Sequence, residues 1–397
     1  MTFRHDPADE PFFREWNNAR RRETGRVRTI TRSRARSALL QQHLGLTRDL
    51  PVPACLIVGS KGKGTAVAAA TATLHAAGLR VGTITSPPLR HNRERIRVDG
   101  AAASQSDYEA VSRRAARALD CLPAPHAGYL PPSGMFTLVG LRWLLDAEVD
   151  VLVVEEGLGG LSDDVSLFSY PAVGVTQIFS EHLDVLGGSL DAVAADLLGV
   201  IDEATERVVA FSPQPPQAQT RLPANTVPIE TGATLERNIR VGAETARSLL
   251  AVSFPDRPHQ ALPNARELAD KLILPGRASL HAVDGAQWCI DTSISPEGVA
   301  DIRGRAERIL RPGFRVLAAF PDVKYVEGCI AELDGLPVTF VGAGREYLNY
   351  TRSQAGTTTQ KAAHDARTDG CDVLAVGTQS FAGELLELLE VETDRWW

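Results

Sequence analysis

At 397 residues the chain has room for two or three domains of ~100 to 200 residues, each able to bury its own core. With 44% hydrophobic and 23% charged residues it has the make-up of an ordinary globular protein, which excludes disordered and fibrous classes. A net charge of -7 excludes the broad basic footprint of a nucleic-acid binder, and the arginine excess from Arg20 to Arg36 reads as one solvated helical face.

The opening residues, MTFRHDPADEPFF, lack the apolar stretch of a signal peptide, and no apolar run approaches the ~18 residues needed to cross a bilayer. The expectation is a soluble, cytoplasmic protein without a membrane or nucleic-acid partner. Two helical stretches follow, ending at Gly45 and Pro51, as an N-terminal helical preface over 1-50. Ala54 to Val58 is a short apolar strand, GSKGKGT a glycine-rich loop, AVAAATATLHAAGL an alanine-rich helix stopped by Gly78, and Val81 to Thr85 a returning strand. Asp-Gly inside IRVDGAAA predicts an edge hairpin, and Ala101 to Ala147 holds two helices around the proline-rich CLPAPHAGYLPP. The continuous apolar runs opening DVLVVEEGLGG (150 to 160) and AVGVTQI (172 to 178) suit strands buried on both faces of a parallel sheet. Near Leu274 the segment LPGR opens a second series, with strands at 287 to 291, 314 to 320, 337 to 344 and 372 to 377, each followed by a helix candidate. The five cysteines are scattered without CxxC spacing, so neither a disulfide framework nor a zinc site is expected, and Cys55, Cys289 and Cys371 read as small buried thiols.

The chemistry is concentrated first in Gly59, Ser60, Lys61, Gly62, Lys63, Gly64 and Thr65. A loop between strand and helix is where phosphate-binding loops work: glycines let backbone N-H groups face an anion, the helix amino end adds positive potential, Lys63 reaches the terminal phosphates and Thr65 can hold magnesium. The spacing is a variant of the common P-loop, with three residues between Gly59 and Lys63 and Gly64 ahead of the hydroxyl residue.

GSKGKGT followed by TSPPLRHNRERIRVDG (85 to 100) resembles the folylpolyglutamate synthases of the Mur ligase superfamily, whose corresponding segments read GTNGKGS and TSPHL with RERI. The likeness continues through VDVLVVEEGLGG, SEHLDVLGGSLDAVA, the LERN segment at 235 to 238, LPGR and AVGTQSFAGEL, while EHLDVLGGSLD is also similar to bacterial poly-γ-glutamate synthases. This resemblance implies an α/β fold with a P-loop central domain built on a mostly parallel sheet (51-273) and a smaller C-terminal Rossmann-like α/β domain (274-397). It implies an ATP-dependent acid-amine ligase in which ATP phosphorylates a carboxylate and an amine attacks the acyl phosphate, so the partners are ATP, Mg2+ and small-molecule carboxylate and amine substrates. By the same resemblance Lys63 and the loop amides hold phosphate, Thr65, Ser86 and Glu155 surround one magnesium, His182 lies near a second, Asn238 meets the adenine, Arg277 the γ-phosphate and Asp291 the ribose.

Several positions depart from the family pattern. Leu197 stands where the family has a carbamylated lysine that helps bind the second magnesium, with Asp196 or Glu181 as conceivable substitutes. GGLSDDVS (159 to 166) loses an arginine of the usual GGRLDATN, DTSISP (291 to 296) loses the His and Asn of DGAHNP, and Pro88 replaces the histidine of TSPHL. These changes fall on the acceptor side, which implies a glutamate-like amine joined to a carboxylate other than folate in a specialised biosynthetic pathway. Two other readings are a P-loop kinase, against which the second domain argues, and a non-catalytic nucleotide-binding partner, against which the retained Lys63, Thr65, Ser86, Glu155 and His182 argue.

Overall fold

The computed structural model describes residues 6-22, 31-125, 128-257, 262-343 and 348-397. Residues 23-30 within the arginine run, the centre of the proline-rich loop (126-127) and the end of the expected strand at 344 lie outside the described residues. The described chain forms two compact units. One comprises residues 6-88, 92-272 and Trp396 and Trp397, and the other Leu89, Arg90, His91 and residues 273-395.

The first unit is built on an eight-stranded sheet of β1 (Ala54–Val58), β2 (Val81–Ile84), β3 (Ile96–Val98), β4 (Ala101–Ala102), β5 (Val151–Glu155), β6 (Ala172–Val175), β7 (Arg207–Phe211) and β8 (Val227–Ile229), in the order β4-β3-β2-β5-β1-β6-β7-β8. The pairs among β2, β5, β1, β6, β7 and β8 are parallel, and β3 and β4 add an antiparallel hairpin at one edge. Every residue of β1 and of β5 is buried, as the unbroken apolar runs predict for strands covered on both faces. The hairpin turns at Asp99 and Gly100, both at positive φ (50° and 76°), the two-residue geometry that Asp-Gly favours.

Helix Lys63–Ala76 follows β1 and is buried along almost its whole length, because a second helix, Thr234–Ser253, lies against it. Gly242 permits that approach: a Cβ there would sit 1.9 Å from the Ala66 carbonyl oxygen. The alanine-rich face and this glycine bring the two helix backbones together beside the glycine-rich loop. The helices Glu10–Arg22 and Arg34–His43 pack onto the same unit through Phe12, which stacks on Phe136 at 4.0 Å, and through a buried Arg36 to Glu15 ion pair.

The second unit holds β9 (Ser279–Val283), β10 (Ala286–Asp291), β11 (Arg315–Ala319), β12 (Val338–Gly342), β13 (Thr357–Thr358) and β14 (Val373–Gly377), ordered β13-β12-β11-β14-β10-β9. All its pairs are parallel except β9 on β10. Trp288, Phe320 and Phe381 are fully buried in its two cores. Burial pushes the thiols of Cys289 here and Cys55 in β1 up to about 12, so both pack as inert hydrophobes. Among the described residues no helix is long and apolar enough to cross a membrane.

One carboxylate ties this second sheet together. Asp372, 2% exposed, accepts from the amides of Gln287 (3.0 Å) and Arg311 (2.8 Å) and from Nε (2.9 Å) and Nη2 (2.5 Å) of Arg311. The Arg311 side chain is the main cause holding the carboxyl down to about 2, from an ordinary 3.8. A carboxyl depressed on folding stabilises above its unfolded pKa and loses that contribution as pH falls through the folded one. Asp372→Asn should therefore cost about 1 to 3 kcal/mol in denaturant unfolding at pH 7, with the gap to the unaltered protein closing between about pH 4 and pH 2. Equal stabilities at pH 7 would show that the clamp contributes nothing.

Candidate functional site

The strand order places β1 between β5 and β6, so the chain segments leaving the carboxyl ends of these three strands converge, the position at which open α/β sheets bind ligands. The loop after β1 turns tightly. Gly59 and Gly62 have φ of 135° and 93°, conformations that L side chains rarely adopt, and a Cβ on Gly62 would meet the Asn238 side chain at 2.3 Å. On its inner side the loop is pinned: Ser60 N donates to Gln177 O (3.0 Å), and Ser60 Oγ both donates to Phe179 O and accepts from Phe179 N (3.1 Å each). Gly62 caps the following helix without a side-chain bond, and the first helical amides, Lys63 and Gly64, have no partner within the helix by its own geometry. With the axial dipole behind them they form an anion-facing amino end.

Lys63 folds back over the loop, donating from Nζ to Gly59 O (2.5 Å) and pairing with Glu156 Oε2 (3.3 Å). Burial works against its charge, but Glu156, Glu181 and Glu155 together outweigh it and raise the pKa, so the ammonium is fixed in its charged form. Glu156, 2% exposed, accepts from Gly59 N (3.3 Å) and Gly159 N (3.1 Å). Its burial pushes the carboxyl up to about 8 against the pull of Lys63, with Asp163 and Glu181 adding to the rise. Successive strand residues face opposite ways. Glu155 accordingly turns elsewhere and accepts from Ser86 N at 3.1 Å. Ser86 follows β2, and its Oγ accepts from Arg95 Nη1 at 3.0 Å. Thr65, 3% exposed, stands on the first turn after the loop.

Beyond β6, His182 occupies a left-handed conformation (φ 47°) at the start of the one-turn helix Leu183–Leu186. Its side chain is 43% exposed and lies 4.0 Å from Glu181, whose charge is felt at Lys63. Leu197 is 1% exposed within the hydrophobic core. Asp196, the conceivable substitute for the missing lysine, is engaged in the fold: its carboxylate accepts from Gly160 N (3.0 Å), Ser162 N (3.0 Å) and Ser162 Oγ (2.9 Å), anchoring the loop at 159 to 162. That loop is also gripped by Arg32, which donates to Leu158 O (2.7 Å), and by Arg34, which donates to Asp163 O (3.1 Å). Among the described residues no three His, Cys, Asp or Glu side chains are gathered as a metal cage.

Asn238 lies on the helix beside the loop, 5% exposed, with its Oδ1 without a hydrogen-bond partner. Gly62, Lys63, Glu155, Ser86 and Asn238 are thus brought to one end of the first sheet. Arg277 and Asp291 belong to the second unit and are brought together there. Asp291 accepts from Ala278 N (2.7 Å) and from N (2.8 Å) and Oγ (2.5 Å) of Ser293, fastening the turn after Arg277 to the end of β10. Two participants, Glu156 as the partner of Lys63 and Arg95 as the partner of Ser86, were not picked out from the sequence. The doubled Glu at a strand end and the arginines of RERI in the turn leading into an edge hairpin are the signals that point to them.

No family model matches the chain. Over 173 residues it is 32% identical to a putative folylpolyglutamate synthase of Caenorhabditis elegans, covering 43% of this chain and 33% of that protein. Over 211 residues it is 29% identical to a dihydrofolate synthase/folylpolyglutamate synthase of Mycobacterium tuberculosis, covering 48% and 43%. The chain therefore spans less than half the length of these curated relatives. The structural likeness is more extensive. The apo form of the L. casei folylpolyglutamate synthase matches with a TM-score of 0.77 over 95% of this chain and 100% of that one, at 18% identity. A Mycobacterium tuberculosis folylpolyglutamate synthase complexed with ADP and AMPPCP matches at 0.76 over 90% and 95%, at 19% identity. The expected architecture of two α/β units with mostly parallel sheets is observed, the fold is that of the folylpolyglutamate synthases, and the resemblance read from the motifs is borne out.

Proposed function

We propose that the chain is an ATP-dependent acid-amine ligase that joins a glutamate-like amino acid to a carboxylate other than folate. The observation that carries this reading is Lys63, held in its charged form over a glycine turn with free amino-end amides, within the fold of the folylpolyglutamate synthases. The loop amides and Lys63 receive the β- and γ-phosphates. A substrate carboxylate oxygen attacks the γ-phosphorus and ADP leaves. The amine nitrogen then attacks the acyl carbon, phosphate departs with the former carboxylate oxygen, and the nitrogen loses a proton as the amide forms.

The donor set fits a magnesium ion. Thr65 in the first turn of the helix after β1, Ser86 just past β2 and Glu155 at the end of β5 offer only oxygen, with one carboxylate, which suits a cation that keeps several waters and shares the phosphates. Once bound there with the nucleotide, magnesium neutralises the phosphoryl charge. It also meets an electrostatic need, because a polyphosphate approaching Lys63 faces Glu155 and Glu181 as well. A second ion is less well provided for, since Leu197 is buried in the core and Asp196 is occupied, leaving His182 and Glu181. On this reading Asn238 serves the nucleotide base, and Arg277 and Asp291 act in the same reaction from the second unit.

What supports an acceptor outside the folates is the change at four positions: Leu161, 54% exposed where the family pattern has arginine, Pro88 in place of its histidine, and Ile294 and Ser295 in place of the His and Asn of DGAHNP. A cytoplasmic location, where ATP is available, goes with this reading. The test is incubation with ATP, Mg2+ and glutamate against a pool of carboxylic acids that includes folates, with phosphate release and new masses followed together. Acid-dependent release with a new amide from a non-folate acid is expected. An amide formed only from folate would correct the acceptor. A phosphorylated product without an amide would make the protein a kinase, and nucleotide binding without turnover a binding partner.

A further inference from the structure

Ser86 is held from two sides. Its N-H donates to Glu155, and its Oγ accepts from Arg95 Nη1 at 3.0 Å. Arg95 is only 6% exposed, and a guanidinium so deep has lost most of its hydration, so it persists only against strong partners. Nε donates to Asn92 Oδ1 at 3.2 Å, and the guanidinium carbon lies 4.6 Å from the centroid of Phe136. Phe136 is itself clamped: it stacks on Phe12 at 4.0 Å with 4° between the planes, and both rings are 1% exposed. The guanidinium is therefore fixed in plane and position, and its flat fork aims one N-H at the serine hydroxyl.

A hydroxyl oxygen has two lone pairs and one proton. With one lone pair taken by Arg95, the other and the proton are confined to the remaining directions. We infer that Arg95 is a positioning residue, which acts through Ser86 by turning the free lone pair of Oγ towards the cation that enters with the nucleotide. The inference rests on the metal-nucleotide reading of Thr65, Ser86 and Glu155. Placing a positive charge near a cation site is unfavourable by Coulomb's law alone. Glu155, on the other side of Ser86, offsets it, and the geometric gain lies in a ligand that needs no reorientation on binding.

The test uses Mn2+ as the probe cation, titrated by electron paramagnetic resonance into the full-length protein with ADP. Arg95→Met should raise the Mn2+ concentration for half occupation roughly 10-fold or more, with metal-free ADP affinity within about twofold and an unchanged far-UV spectrum. Arg95→Lys, which keeps a donor but not the fork, should fall between. Ser86→Ala should reproduce the loss, and the double variant should be no worse than Ser86→Ala alone. If Arg95→Met does not fold, Phe136→Leu, which removes only the ring beneath the guanidinium, should shift Mn2+ binding in the same direction by less. Unchanged Mn2+ affinity in a folded Arg95 or Phe136 variant overturns the inference, as do losses that add in the double variant. Absence of any Mn2+-ADP binding by the unaltered protein would instead overturn the reading on which it rests.

Discussion

Lys63→Met is expected to lower ATP turnover by roughly 10²- to 10³-fold, the loss that accompanies removal of one preorganised charged donor from a developing phosphoryl transition state. The methionine keeps the length and apolar stem of the side chain, so the packing under the loop is retained. Glu156 loses its partner, but burial already pushes its carboxyl up even against the pull of Lys63, so removing the ammonium favours the neutral form further and leaves the Gly59 and Gly159 amides as neighbours. The fold should therefore survive the loss of activity. A steady-state assay beside a thermal melt checks both halves. Unimpaired turnover would show that Lys63 is a buried structural cation, held by Glu156 for stability alone.

Gly62→Ala should have the opposite character, damaging structure and binding together. A φ of 93° strains any L residue by about 1 to 2 kcal/mol. The new methyl would also lie 2.3 to 2.5 Å from the Asn238 amide, an overpacking that typically costs about 1 to 3 kcal/mol. The helix Thr234–Ser253 has little room to withdraw, since Gly242 already packs against the Ala66 backbone. The expected result is about 2 to 5 kcal/mol of lost stability or an equivalent rearrangement of the loop, with nucleotide affinity down by more than about 10-fold. Calorimetric titration with ADP and denaturant unfolding measure the two effects. A variant that binds ADP as tightly as the unaltered chain would show that the turn is not part of the nucleotide site.

The different fates of these two positions reflect what a linear pattern can carry. The central strands were legible because burial on both faces leaves an unbroken apolar run, as in Ala54–Val58 and Val151–Glu155. Outer strands were not. Arg207–Phe211 starts on an exposed arginine, Val227–Ile229 is three residues with a central proline, and Ser279–Val283 is an antiparallel edge strand with no residue fully covered. The phosphate loop could be read because its geometry demands glycine at fixed places. The division of labour between Glu155 and Glu156 could not, since it follows from the alternation of side chains at a strand end and from what lies on each side. Asp196 shows the converse: a carboxylate beside the missing lysine invites assignment to a metal, and only the structure reveals that it anchors a loop through three donors. Arg95 reaches back nine positions to Ser86 across a loop and a short 3-10 turn, a juxtaposition with no periodicity to announce it.

The central claim is that the γ-phosphate of ATP activates a carboxylate which an amine then captures. Once an acceptor acid has been found, it can be supplied with both carboxyl oxygens as 18O, together with ATP, Mg2+ and glutamate, and the released phosphate examined by mass spectrometry. Attack through an acyl phosphate predicts that each phosphate released carries one 18O and that the amide retains the other. Phosphate free of label, or label remaining wholly in a phosphorylated acid with no amide formed, would contradict it.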